Sequence, residues 1–124
     1  MKKHVVIIEH DSESLDIVSR CLENNKYVVT QFSCFPSMPE LTFMRADCFI
    51  INAWLPQVSG HAICLMLKAK VQTRPIPVIL LSSRGHGELV ENICEADVIL
   101  QWPCPAHKLL DAVSAILTHP VSLS

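Results

Sequence analysis

Five short apolar runs, at residues 5–8, 27–29, 48–51, 78–81 and 98–100, punctuate the chain and constrain its fold more than any other feature. Each is too short for a helix. None shows the polar alternation of a strand with one wet face, so they read as strands buried on both sides. Between them the apolar residues recur at helical spacing: Leu15, Val18, Cys21 and Leu22, then Ile63, Met66 and Leu67, and finally Leu109, Ala112, Val113 and Ile116. Alternating strands and helices joined by right-handed crossovers predict an α/β fold, a doubly wound five-stranded parallel sheet with helices on both faces.

Local signals mark the ends of these elements. Asp11 or Ser12 can cap the first helix, Glu13 suits the positive end of its dipole, and Asn24-Asn25 stops it. Pro36 and Pro39 restrict the second helical segment to a turn or two, and Pro105 fits the first turn of the last helix. In open α/β sheets the functional crevice lies beyond the carboxyl ends of the strands. Here those ends carry Glu9, His10 and Asp11, then Asn52, Ala53 and Trp54, then Ser82 and Ser83, then Gln101, Trp102 and Pro103.

At 124 residues the length suits one domain, read as residues 1–119 with a short tail at 120–124 and no separate output domain. Half of the residues are apolar, 18% are charged and the formal net charge is -2, so a packed core is expected and a basic footprint for nucleic acid is not. The apolar stretch at residues 5–8 ends at Glu9, far short of a membrane span or signal segment, which predicts a soluble cytoplasmic protein without membrane attachment. Six cysteines without CxxC pairs give no disulfide framework, and no histidine lies at metal-ligand spacing with a cysteine or carboxylate on the same element.

Several landmarks together resemble the receiver domain of two-component response regulators, with its chemotaxis-regulator-like, flavodoxin-like topology. They are the acids Glu9 and Asp11 after the first strand, the strand ending at Asn52 with Leu55-Pro56 and Gly60 beyond it, the strand from Pro77 to Ser82, and Pro103 after the fifth strand. The resemblance spans residues 3 to about 117 and implies a phosphorylation pocket at Glu9, His10, Asn52, Ser82 and Trp102. In that family a pair of adjacent carboxylates holds a divalent cation, an aspartate accepts phosphate, and a hydroxyl residue and a lysine complete the site. This chain carries Glu9-His10 at the pair, Asn52 at the acceptor, Ser82 at the hydroxyl and Trp102 at the lysine, while the aromatic switch position aligns with Ile99.

These departures have chemical consequences. A neutral amide oxygen is a poor nucleophile, so Asn52 is not expected to accept a phosphoryl group. Magnesium favours carboxylate oxygens, and with His10 and Asn52 replacing two acids its binding is expected to be lost or weak, Glu9 and Asp11 being the only candidates left and no other cofactor being implied. Acids at a strand-to-helix junction are more often caps than ligands, a lone histidine such as His10 is usually a surface residue, and Ser82 lacks a catalytic base, its simplest role being a hydrogen bond, for instance to Asn52. The reading is a stand-alone, phosphorylation-independent signalling module, not an enzyme, that binds a protein partner or itself. The contact face implied by the resemblance is residues 88–94, 98–101 and 106–117, with Glu91, Ile99, Gln101 and His107 as candidates. The alternative is a regulator that still takes phosphate from a histidine kinase at Asp11 or Glu9.

Overall fold

The computed structural model describes residues 2–83 and 95–118. In chain order these form β1 (His4–Ile8), α1 (Ser12–Glu23), β2 (Val28–Phe32), α2 (Met38–Met44), β3 (Cys48–Asn52), α3 (Gly60–Ala69), β4 (Val78–Ser82), β5 (Val98–Gln101) and α4 (Ala106–Thr118). All five strands are parallel in the order β2-β1-β3-β4-β5, so the doubly wound sheet expected from the sequence is the observed one. Neighbouring registers bring Ile8 beside Ile51, Asn52 beside Leu81 and Ser82 beside Gln101, which aligns the carboxyl ends along one edge of the molecule.

The sheet separates two apolar clusters because successive strand residues point to opposite faces. Val5 and Ile7 face Leu15, Val18, Leu109 and Val113 of α1 and α4, whereas Val6 and Ile8 face Leu41, Ile63 and Leu67 of α2 and α3. Most of these side chains are fully buried, and each contributes about 1.5–3 kcal/mol through removal from water. The central strands β1, β3 and β4 are buried almost throughout, and the edge strand β2 is not. That difference explains why the apolar run at 27–29 understates β2, whose backbone pairs with β1 as far as Phe32 despite the polar Thr30 and Gln31.

Capping follows the sequence signals closely. The Asp11 carboxylate accepts the N–H of Ser14 at 2.9 Å to open α1, which settles the choice between Asp11 and Ser12. Ser37 and Ser59 open α2 and α3 by accepting the N–H groups of Glu40 and Ala62. Helix α2 is short, as its prolines required, and ends on Arg45 in the left-handed conformation at φ 52°. At the amino ends of the strands, the Lys68 ammonium donates to the carbonyls of Arg74 and Ile76 and to Asp97 at 2.8 Å, and Asp97 also accepts the N–H of Val78. Lys68 thereby clamps the end of α3 to the starts of β4 and β5.

Candidate functional site

At the carboxyl end of β1 the chain turns outward, and Glu9 is left 1% exposed. A buried carboxylate needs donors, and Glu9 finds three contacts. The Asn52 Nδ2 group lies 2.8 Å from each of its oxygens, and the N–H of Asp11 reaches Oε2 at 3.0 Å. The other end of the Asn52 amide is also engaged, because Oδ1 accepts the N–H of Trp54 at 2.7 Å. The amide is therefore oriented from both sides, nitrogen toward the carboxylate and oxygen toward the backbone donor. A carboxylate in its place would set two anions at hydrogen-bond distance, a repulsion of several kcal/mol at an effective dielectric of about 20.

Gly60 holds the next loop against this pair. A Cβ at Gly60 would meet the Asn52 carbonyl oxygen at 2.1 Å, so no larger residue fits where α3 begins. The Gly60 N–H donates to the Ala53 carbonyl, which closes the loop that carries Trp54. The residue after Gly60, His61, is buried, and its ring meets Trp54 edge to face at 5.6 Å between centroids. Its Nε2 has no hydrogen-bond partner among the described residues, and burial holds its pKa below the ordinary histidine value. Neither His61 nor its contact with Trp54 was singled out by sequence reasoning; the pairing of an imidazole with an exposed tryptophan seven residues earlier was the available signal.

The remaining residues of the expected pocket scatter around this core. Asp11 is exposed and caps α1, and the backbone and side-chain hydrogen bonds of Ser14 hold its carboxyl below the usual range. His10 lines a groove of about 120 Å³ with Cys34, Phe35, Leu55, Pro56, Gln57 and Val58, on the α2 side of the strand ends. Ser82 is buried, but its hydroxyl donates to the Ser83 carbonyl at 3.5 Å. The expected bond between Ser82 and Asn52 is not formed, because both ends of the Asn52 amide are already taken by Glu9 and Trp54.

Trp102, on the far side, packs against the α1/α4 cluster, and its indole N–H donates to the Ser14 hydroxyl at 3.1 Å. The bond it forms with Pro103 is cis. Its indole is thus directed at Ser14 and not at Asn52. Ile99 is half-buried against the α2/α3 cluster, while Gln101 and His107 are exposed; Glu91 and residues 88–94 lie outside the described residues. No group of three or more histidine, cysteine or carboxylate side chains gathers at metal-binding spacing among the described residues. Cys48 behaves as a small buried hydrophobe, its thiol pushed up to about 12 by burial. No helix of the described residues is long and apolar enough to cross a membrane.

Comparison with known proteins agrees with this architecture. A receiver domain of a signal transduction histidine kinase from Syntrophus aciditrophicus superposes with a TM-score of 0.86 at 26% identity, covering 94% of this chain and 90% of that one. A Pseudomonas aeruginosa sensor-kinase receiver domain, solved with a magnesium ion coordinated in its active site cleft, shares the fold at a TM-score of 0.83 and 14% identity, covering 95% and 99% of the two chains. Among sequences, the phosphate regulon transcriptional regulatory protein PhoB of Klebsiella pneumoniae is 27% identical over 94% of this chain and 52% of its own length. The sensory transduction protein BceR of Halalkalibacterium halodurans is 30% identical over 91% and 49%. The chain thus spans about half the length of these curated relatives. Residues 5–114 match the family described as the response regulator receiver domain, and the chain belongs to that family.

Proposed function

We propose that this receiver domain of two-component signalling works without phosphorylation, as a non-enzymatic module that binds a protein partner or a second copy of itself. The observation that carries the reading is the Asn52 amide donating to both oxygens of Glu9. That contact satisfies the buried acid without a cation and leaves a neutral amide where the chemistry needs an anionic nucleophile. The donor set does not suit magnesium, which demands near-octahedral oxygen ligands. An entering ion would have to displace the amide from Glu9 and the backbone N–H from Asn52 Oδ1, while Asp11 is committed to capping α1.

The site at which the module acts is the cytoplasm in this reading, and no cofactor is required. Nucleic acid is not its direct partner on charge grounds, although PhoB is described as a transcriptional regulatory protein and the match covers about half of it. The second reading, phosphate transfer to an unexpected carboxylate, falls on Asp11, which is exposed, and not on Glu9, which is enclosed. Incubation with acetyl phosphate and magnesium followed by intact-mass measurement decides between them. No added phosphoryl mass is expected; a stoichiometric adduct that maps to Asp11 would overturn the proposal.

A further inference from the structure

A second surface lies at the opposite end of the sheet from Asn52. Thr42, Phe43, Arg45, Ala46, Gln72 and Ile76 line an open groove of about 570 Å³ between the ends of α2 and α3. Phe43 is 82% exposed and Val71, next to Gln72, is 74% exposed, the two largest exposures of any big apolar side chain among the described residues. Exposed apolar side chains gathered at a depression mark interaction sites more often than chance. The charge around this groove is positive: Arg45 is exposed with no ion pair among the described residues, and Lys70 and Arg74 lie two residues to either side of Gln72. The neighbouring acid Asp47 is turned to the His4 N–H at 2.7 Å, and Lys68 is already balanced by Asp97.

The chain carries a complementary surface of its own. Helix α1 buries Leu15, Val18 and Leu22 and turns outward a face made of Glu13, Asp16, Ile17, Arg20 and Glu23. Ile17, at its centre, is 51% exposed. Arg20 pairs with Asp16 at 3.0 Å, which leaves Glu13 and Glu23 without an ion pair among the described residues on either side of Ile17. One surface is thus an apolar depression with a cationic rim, and the other is an apolar knob between carboxylates.

From this geometry we infer that the chain associates with itself head to tail, Ile17 of one copy entering the Phe43 groove of the next with Glu13 and Glu23 against Arg45 and Arg74. This deepens the reading of the domain as an interaction module, and rests on it, by naming the partner as a second copy. Because the two surfaces differ, the contact is heterologous and each copy keeps one free end, so assembly grows beyond a dimer unless the rotation closes a ring. Electrostatic attraction across the rim makes it sensitive to salt.

Sedimentation velocity of the full chain, from about ten micromolar to about one millimolar, where weak protein contacts dissociate, tests the inference. The mean mass should rise with concentration past that of a dimer and fall again at high salt. Ile17→Asp and Phe43→Asp should each leave a folded monomer, with circular dichroism unchanged because both side chains are exposed, and weaken association about tenfold or more. Mixed in equal amounts, the two variants should form a one-to-one dimer and nothing larger, since the mixture holds one intact knob and one intact groove. A chain that stays monomeric throughout, variants that still associate singly, or a mixture that does not pair would each overturn the inference. Repeating the wild-type run with acetyl phosphate and magnesium separates the two readings. Association only with the phosphodonor would overturn phosphorylation-independence, whereas no association in either condition would overturn the self-contact and leave the Asn52 reading standing.

Discussion

Two carboxylates at opposite ends of this sheet, Glu9 enclosed and Asp97 partly open to water, are balanced in different ways. Asp97, at the amino ends of β4 and β5, meets the Lys68 ammonium and a backbone N–H, so its charge and its hydrogen bonds are both answered. Glu9, at the carboxyl end of β1, meets only neutral donors among the described residues, the Asn52 amide and the Asp11 N–H. The first arrangement is a clamp whose members depend on each other. The second satisfies geometry while leaving a negative charge in the crevice where receivers gather a cation and a phosphoryl group. The difference shows two ways in which one fold holds an acid in place, one by an opposite charge and one by neutral donors alone.

The clamp should be the costlier of the two to break. Lys68→Met leaves Asp97 without its counter-ion and frees two carbonyls, and loss of these three charge-assisted hydrogen bonds of a part-buried ammonium is expected to lower stability by about 3 kcal/mol in urea unfolding. A loss below about 1 kcal/mol would place the pair among the weak surface bridges and remove the contrast with Glu9.

Substitution of Asn52 sharpens the comparison from the other side. Asn52→Ala removes the donors to Glu9 and should cost about 1–3 kcal/mol, the penalty of an unsatisfied buried acceptor. Asn52→Asp should lose a similar amount at neutral pH without metal, through like-charge repulsion. The two variants then separate by pH. Beside Glu9 the introduced Asp carboxyl would titrate above its unfolded value, so the folded variant holds more protons than the unfolded chain in that window, and its stability falls as pH rises through it. Asn52→Ala has no such pair. Equal pH profiles for the two variants would show that Glu9 and position 52 do not share a field.

Much of this could be read from residue order because it depends on local periodicity. The apolar runs of β1, β3 and β4 are continuous because both faces of each are covered, and Asp11 caps a group three residues away. What escaped depends on distant pairing. Lys68 meets Asp97 across 29 positions, and Trp102 finds Ser14 across 88, where no spacing rule applies. That Asn52 ends the third strand at the carboxyl edge was legible; that its amide would be spent on Glu9 and Trp54, leaving Ser82 to a backbone carbonyl, needed the three-dimensional arrangement.

The smallest effect expected lies one step out from Asn52, at His61. Burial against Trp54 disfavours the charged imidazole, so the folded-state pKa lies below the ordinary value of 6.5. Between the two values the unfolded chain binds more protons than the folded one, and stability therefore rises with pH across that window and levels off above it. The slope should appear in urea midpoints measured between pH 5 and pH 7.5, contribute about 1 kcal/mol or less, and vanish in His61→Phe, which keeps the ring contact without the titration. Trp54 supplies an independent reading. In a Trp102→Phe background its emission should be quenched as His61 gains a proton, with a midpoint below 6.5. An emission midpoint above that value would mean that water or an anion stabilises the imidazolium, and that burial against Trp54 does not govern its charge.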